Sequence, residues 1–194
     1  MNSIDNEIEK IKSLSPLQWQ MPYFNGTLTH VNNDGLWLEF GVATGKSINT
    51  ISSLTNNTVY GFDSFLGLPE NWGTYRKKGR YSTGGKLPIV RDNVELVVGL
   101  FQNTLEKFLK DHSEPVAYLH MDADIYSSTK YVLDRLRNRI VSGTVISFDE
   151  IYNYSEYRDH EIKAWLEFCE ENKVSYEWIT RTNQHQATCI ISRS

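Results

Sequence analysis

Trp37-Leu-Glu39-Phe-Gly41-Val-Ala-Thr-Gly45-Lys-Ser47 is the stretch that decides the fold. Leu36–Phe40 is apolar with little alternation, the pattern of a strand buried on both faces of a parallel sheet. Glycines follow, which permit positive φ and let a ligand approach the backbone. A helix then begins near Lys46, and its first turn offers free N–H groups and a partial positive charge. Outward from this unit the rhythm repeats. Val59–Phe62, Val94–Val98, Val116–Met121 and Thr144–Phe148 are further short apolar runs, separated by helical patterns in Ser47–Leu54, Leu105–Lys110 and Ser128–Ile140. Asp159–Asn172 presents Ile162, Trp165, Leu166 and Cys169 as one helical face. Tyr176–Thr180 and Ala187–Ser192, joined by the polar turn Arg181–Gln186, read as a terminal antiparallel hairpin. At the other end, Ile4, Ile8, Ile11 and Leu14 predict an amphipathic helix over 3–14, stopped by Pro16, within a helical arm covering residues 1–30. The sum is a doubly wound α/β sheet of about seven strands, mostly parallel, with helices on both faces.

Composition sets the outer limits. The 194 residues suit one domain, and 40% hydrophobic with 23% charged residues is an ordinary globular balance. A net charge of −4 argues against a nucleic-acid sheath, which needs a basic footprint. No apolar run approaches a membrane span, and MNSIDNEIEKIK lacks a basic-then-apolar leader, so a cytoplasmic domain is expected. Cys169 and Cys189 lie in apolar surroundings and are expected as buried, reduced thiols.

Three ligands compete for the glycine turn. A phosphate-binding P-loop needs one more residue between Gly41 and Gly45, and a dinucleotide fingerprint needs glycine where Ala43 stands. The third is S-adenosylmethionine, whose ammonium suits the carboxylate of Glu39 at the strand end, where a phosphate would be repelled. Asp63 ends the next strand, where an acidic side chain can accept both hydroxyls of a ribose. The adenosyl reading is preferred. Its expected contacts are Glu39, Phe40, Gly41, Thr44, Gly45 and Ser47 in the first unit, then Asp63, Ser64, Phe101, Gln102 and Asp122. Phe101 can pack on the purine or belong to the core.

Two further strands exit on acids, as His120-Met-Asp122-Ala-Asp124-Ile-Tyr126 and Phe148-Asp149-Glu150. Were these strands neighbours, Asp122, Asp149 and Glu150 would converge, and three carboxylates in one cleft repel unless protonated or neutralised by a cation. Hard oxygen donors select Mg²⁺, Ca²⁺ or Mn²⁺. The alternative is that these acids cap the following helices and never meet. His120, within its strand, reads as structural.

Leu38–Ser47, Gly61-Phe-Asp-Ser-Phe-Leu-Gly-Leu-Pro-Glu70, His120–Thr129 and Phe148–Glu150 together resemble the macrocin-type (TylF-like) O-methyltransferases, a class I S-adenosylmethionine-dependent family. The likeness runs from about Trp37 to Tyr152 and is most specific around Asp122. It implies a Rossmann-like methyltransferase fold, a sugar or related small-molecule hydroxyl as acceptor, and Mg²⁺ bound by Asp122, Asp149 and Glu150. The macrolide enzymes carry two aspartates at the last pair, where this chain has Glu150. Asp122 is then the expected catalytic base, assisting an alcohol whose pKa a divalent cation lowers. Competing readings are a metal-independent methyltransferase, a non-catalytic adenosyl-binding module and, more distantly, a P-loop nucleotidase.

Residues 69–93 break the rhythm, with four glycines, two prolines and no period. Arg76, Lys77, Lys78, Arg80, Lys86 and Arg91 oppose only Glu70 and Asp92, a local charge of +4 that leaves −8 on the rest. Such a segment is expected as a lid or substrate loop for an anionic acceptor, with Trp72, Tyr75, Arg80 and Tyr81 over the site. Tyr126, Tyr152 and Tyr154 can line a sugar platform or pack in the core. The loop aromatics also permit a homo-oligomer.

Overall fold

A computed structural model describes residues 3–193. Its single sheet has eight strands: β1 (Pro16–Leu17), β2 (Leu36–Phe40), β3 (Val59–Asp63), β4 (Val94–Val98), β5 (Val116–Met121), β6 (Val145–Phe148), β7 (Ser175–Thr182) and β8 (Ala187–Arg193). The order is β1-β7-β8-β6-β5-β2-β3-β4. All pairings are parallel except those of β8 with β6 and β7. Six α-helices accompany it: α1 (Ser3–Ser13), α2 (Met21–Leu28), α3 (Lys46–Ser53), α4 (Phe101–Asp111), α5 (Tyr126–Leu136) and α6 (Glu161–Asn172).

The seven-strand expectation misses β1, whose two residues pair with Arg181 and Thr182 and are too few to show a period. The N-terminal arm is correspondingly two helices split by that strand, because Pro16 ends the first helical run. The expected helix 128–140 stops at Leu136. Ile140 stays in the core, but its N–H turns back to the Leu136 carbonyl outside regular helix.

Alternate residues of β2 explain why its run is apolar apart from Glu39. Leu36, Leu38 and Phe40 pack with α1, α4, α5 and α6, whereas Trp37 faces α2 and α3. On the second face, the Tyr23 and Thr188 hydroxyls lie 2.6 Å apart, and those of Thr27 and Thr180 2.8 Å apart, pairing the buried polar atoms of α2 with the terminal hairpin. On the first face, buried Glu7 of α1 accepts the Tyr176 hydroxyl and the Trp178 indole N–H, each at 2.8 Å. Both cysteines are buried and unbridged.

Strand order reverses between β2 and β5, the point in an open α/β sheet where a crevice opens beyond the strand ends. There Gly41, at φ 96°, lies against the Asp122 backbone so closely that a Cβ would overlap the Asp122 carbonyl oxygen. Gly41→Ala should therefore cost at least about 1–3 kcal/mol, from the positive φ alone, and push the Asp122 turn outward. Thermal melting alone reads the first effect; calorimetric titration with S-adenosylhomocysteine reads the second, as weakened binding.

Candidate active site

A cavity of about 250 Å³ opens at this reversal, above the C-terminal ends of β2 to β6. Of the contacts expected from sequence, Gly41, Asp63, Ser64, Phe101, Gln102 and Asp122 line it, together with Asp149 and Glu150. Glu39, Phe40, Thr44, Gly45 and Ser47 are not among its lining residues. Ala43, Gly67, Leu68, Pro69, Tyr81, Gly99, Leu100, Ala123, Asp124 and Ser128 complete the wall.

Asp63 staples the first turn. Its Oδ2 accepts the N–H groups of Val42 and Ala43 at 2.9 and 2.7 Å, and its Oδ1 accepts that of Phe65 at 2.7 Å. One carboxylate thus holds the turns after β2 and β3 in register, with one lone pair, on Oδ1, left for a ligand. Ala43 sits at φ 44° and Gly45 at φ 80°, so the turn is left-handed at two points besides Gly41.

Glu39 lies beneath the turn rather than in the cavity. It is fully buried, accepts the Ser47 hydroxyl at 2.7 Å and places its other oxygen 3.4 Å from His120 Nδ1. Phe40 is a core residue, stacked on Phe62 with ring centres 4.6 Å apart. Phe101 meets Phe40 edge-on at 5.1 Å while bordering the cavity, so it serves core and wall at once.

The acids do meet. β5 and β6 are adjacent and parallel, with Met121 opposite Phe148, so the next residues emerge side by side. Ligand atoms of Asp122, Asp149 and Glu150 all lie within 4.8 Å of one another. Burial and the neighbouring charges of Asp149, Asp124, Glu39 and Glu161 hold the Asp122 carboxyl well above the usual range. Burial, then Asp149, Asp124 and Asp122, do the same to Glu150. Asp149 is raised by burial, against the opposing pull of His120, whose Nε2 is 4.0 Å from its Oδ1. Among the described residues no lysine or arginine forms an ion pair with any of the three. Asp149 Oδ1 and Glu150 Oε2 are buried without a hydrogen-bond partner. Unpaired hard oxygens converging at this spacing fit a divalent cation.

Two acids that the sequence reading left unassigned belong to the same group. Asp124 lines the cavity at φ 61°, and burial and then Asp149 push its carboxyl up to about 7. Glu161, first residue of α6, is fully buried and accepts the Glu150 N–H at 3.1 Å. The second acid of Asp122-Ala-Asp124 was the available signal for the first. Glu161 offered none, being 11 residues beyond Glu150 in an ordinary helical pattern.

Of the two readings of the tyrosines, packing is the one the structure shows. Tyr152 is buried and donates to the Thr182 carbonyl, Tyr126 donates to Glu167, and Tyr154 packs on Trp72, so none of the three borders the cavity. Trp72 is buried too, clustered with Leu68 and Ile125, and anchors the loop instead of covering the site. Tyr75 stays 81% exposed, whereas Tyr81 forms part of the wall.

A family model described as a methyltransferase domain matches residues 38–151, which hold the glycine turn, Asp63 and all three converging acids. The chain belongs to this methyltransferase family. Membership makes it an S-adenosylmethionine-dependent enzyme of class I. No curated protein sequence matches it. Among solved structures it is similar to CalS11, a calicheamicin methyltransferase, at TM-score 0.71 and 20% identity over 86% of this chain and 76% of that one. A second CalS11 structure, at TM-score 0.62 and 20% identity over 86% and 77%, names that protein a TDP-rhamnose 3′-O-methyltransferase. The O-methyltransferase NovP follows at 0.64 and 18% over 98% and 79%, and a Bacillus cereus O-methyltransferase in complex with SAH at 0.58 and 15% over 100% and 92%. At these identities the likeness establishes the Rossmann-like methyltransferase fold, with its antiparallel β7–β8 hairpin. Among the described residues no helix is long and apolar enough to cross a membrane.

The raised carboxyls give the methyltransferase a pH signature. An acid whose folded pKa exceeds its unfolded value binds more protons in the native state, so stability falls as pH rises between the two. For Asp124 that window runs from its ordinary value of 3.8 to about 7. In chelator, the melting temperature should drop by several degrees between pH 5 and pH 7.5, and Asp124→Asn, which tolerates the left-handed backbone, should flatten the decline. Melts that hold level across that range in the unsubstituted protein would contradict the electrostatic picture.

Proposed function

We propose that this methyltransferase is a macrocin-type enzyme, moving the sulfonium methyl of S-adenosylmethionine to a hydroxyl of a sugar or related small molecule with help from Mg²⁺. The observation that carries the proposal is the convergence of Asp122, Asp149 and Glu150 on the cavity that Asp63 and Phe101 border. A methyl donor and a polar, acid-lined acceptor space then share one opening. The likeness to CalS11 and NovP supports an oxygen acceptor on a small molecule, and the net acidity supports one that is not nucleic acid.

In this reading residues 3–193 form one catalytic domain. Asp63 binds the ribose through the Oδ1 lone pair not used by Val42, Ala43 and Phe65, and Ser64, Phe101 and Gln102 frame the adenosine. The acceptor oxygen attacks the methyl carbon, the carbon–sulfur bond breaks with its electron pair going to sulfur, and S-adenosylhomocysteine leaves. Asp122, which lines the acceptor space, takes the hydroxyl proton. Asp122, Asp149 and Glu150 would hold the cation, which when bound supplies Lewis acidity that lowers the pKa of an acceptor hydroxyl. The rest is alignment of nucleophile and methyl, which the walls of the cavity enforce.

Residues 69–93 serve as the acceptor loop. The cavity floor is acidic, so an anionic part of the acceptor belongs at the rim, where Arg80 lies over the Tyr81 ring at 5.2 Å and Arg76 is close enough to pull the Asp124 pKa down.

Calorimetric titration with S-adenosylhomocysteine tests the donor half: the wild type should bind, and Asp63→Ala should not. Absence of binding to the wild type removes the reading altogether. For the metal half, chelation or Asp149→Asn should lower the transfer rate at least about 100-fold with donor binding intact; a rate that survives both points to a metal-independent enzyme. At the rim, replacing Arg76, Lys77, Lys78 and Arg80 together by Ala should raise the acceptor KM roughly 10-fold and spare kcat. Steady-state kinetics with a neutral and an anionic sugar decide whether charge is what the loop recognises.

A further inference from the structure

Glu161 opens α6, a helix that lines no part of the cavity, and it is fully buried behind the acids. Its Oε2 accepts the N–H of Glu150, and the N–H of Ala123 is also directed at the carboxylate. Ala123 follows Asp122 in the turn after β5, while Glu150 stands in the turn after β6. One side chain thus ties together the two turns that carry the converging acids. The helix behind it is fixed in the core by Ile162, Trp165 and Phe168, so the tie is anchored to rigid structure. Oε1 has no partner among the described residues and faces the same charges, since Glu161 acts electrostatically on both Asp122 and Glu150.

Stability does not account for such a residue. A buried carboxylate set among Asp124 and Asp149 costs free energy, and an apolar side chain of that volume would pack at least as well. What the carboxylate adds is a fixed distance. Groups that orient ligating side chains from behind commonly govern metal affinity by 10–100-fold.

We propose that Glu161 is a positioning residue that sets the separation between Asp122 and Glu150 and thereby the affinity of the site for a divalent cation. The inference rests on the cation reading given above. Binding of Mn²⁺, followed by the electron paramagnetic resonance signal of the free ion, tests it on the full chain. Glu161→Gln keeps an oxygen for the Glu150 amide; Glu161→Asp withdraws it by one methylene, and Glu161→Ala removes it. The Mn²⁺ dissociation constant should rise about 10-fold in Glu161→Asp and Glu161→Ala, and stay within about 3-fold of wild type in Glu161→Gln. Affinity for S-adenosylhomocysteine should be unchanged in all three, which separates local positioning from general damage. If Glu161→Ala does not fold, the Asp and Gln variants carry the comparison. Equal Mn²⁺ affinity in those two, whether wild-type or weakened, overturns the positioning role while leaving the cation site standing. No Mn²⁺ binding to the wild type overturns the cation reading, and this inference with it.

Discussion

The site depends on how closely two backbones approach at the point where the strand order reverses. Gly41 at the end of β2 touches the turn after β5 with no room for a side chain, and the Asp122 N–H donates to the Phe40 carbonyl at 2.9 Å. This contact sets the glycine turn and the acidic turn at one fixed separation. Asp63 extends the arrangement sideways, because its three accepted N–H bonds lock the β2 and β3 turns together. Methyl transfer between two bound molecules requires their reacting atoms to be aligned within fractions of an ångström. A backbone contact without an intervening side chain meets that demand better than paired rotamers could, since nothing in it can rotate.

The second organising term is electrostatic and runs against stability. Five carboxylates, Asp122, Asp124, Asp149, Glu150 and Glu161, influence one another, and each is raised by burial before any other cause. A fold selected for stability alone would disperse them or replace them with apolar residues. Unpaired oxygens on Asp149, Glu150 and Glu161 concentrate that cost in one place. Local violations of this kind are where functional sites are found, because the free energy withheld from folding becomes available for a ligand. His120 moderates the repulsion from below, placed between Glu39 and Asp149 at 3.4 and 4.0 Å.

Much of this was legible in the chain. Runs such as Leu36–Phe40 are buried on every residue and apolar at all but Glu39 because the sheet is covered on both faces, so strand positions followed directly from the residue pattern. Asp63, Asp122, Asp149 and Glu150 could be named because strand ends in a doubly wound sheet point to one edge, and adjacency of β5 and β6 brings their acids together. Glu39 illustrates the limit. It stands one residue before the end of β2, whereas Asp63 ends β3, and the alternation of side chains turns it under the glycine loop toward Ser47 and His120, so one residue of register decides which side an acid takes. Tyrosines fail differently: Tyr126, Tyr152 and Tyr154 follow acidic strand ends, but their hydroxyls find partners or burial elsewhere, which no linear pattern encodes. Glu161 was invisible for the same reason, since its role comes from where α6 docks.

The basic loop shows how a segment without a period can still have a fixed shape. Trp72 is its internal core: the ring packs on Tyr154, and the Arg76 guanidinium lies 4.1 Å from its centre. Trp72 and Arg76 also exchange backbone hydrogen bonds at 2.8 and 3.3 Å, closing a small hairpin-like turn. Glu156, from beyond β6, receives the Thr74 N–H and hydroxyl, and Asn49 of α3 holds both the Ile89 carbonyl and the Arg91 N–H. The loop is therefore bound to the acid-bearing half of the sheet through Glu156 and to the donor-binding half through Asn49. A ligand entering at its rim meets a preformed cationic edge, so ordering costs that a disordered lid would charge against affinity have already been met in folding. In the proposed reading of residues 69–93 as the acceptor loop, its charge, rather than its closure, is then the property by which it would discriminate among acceptors.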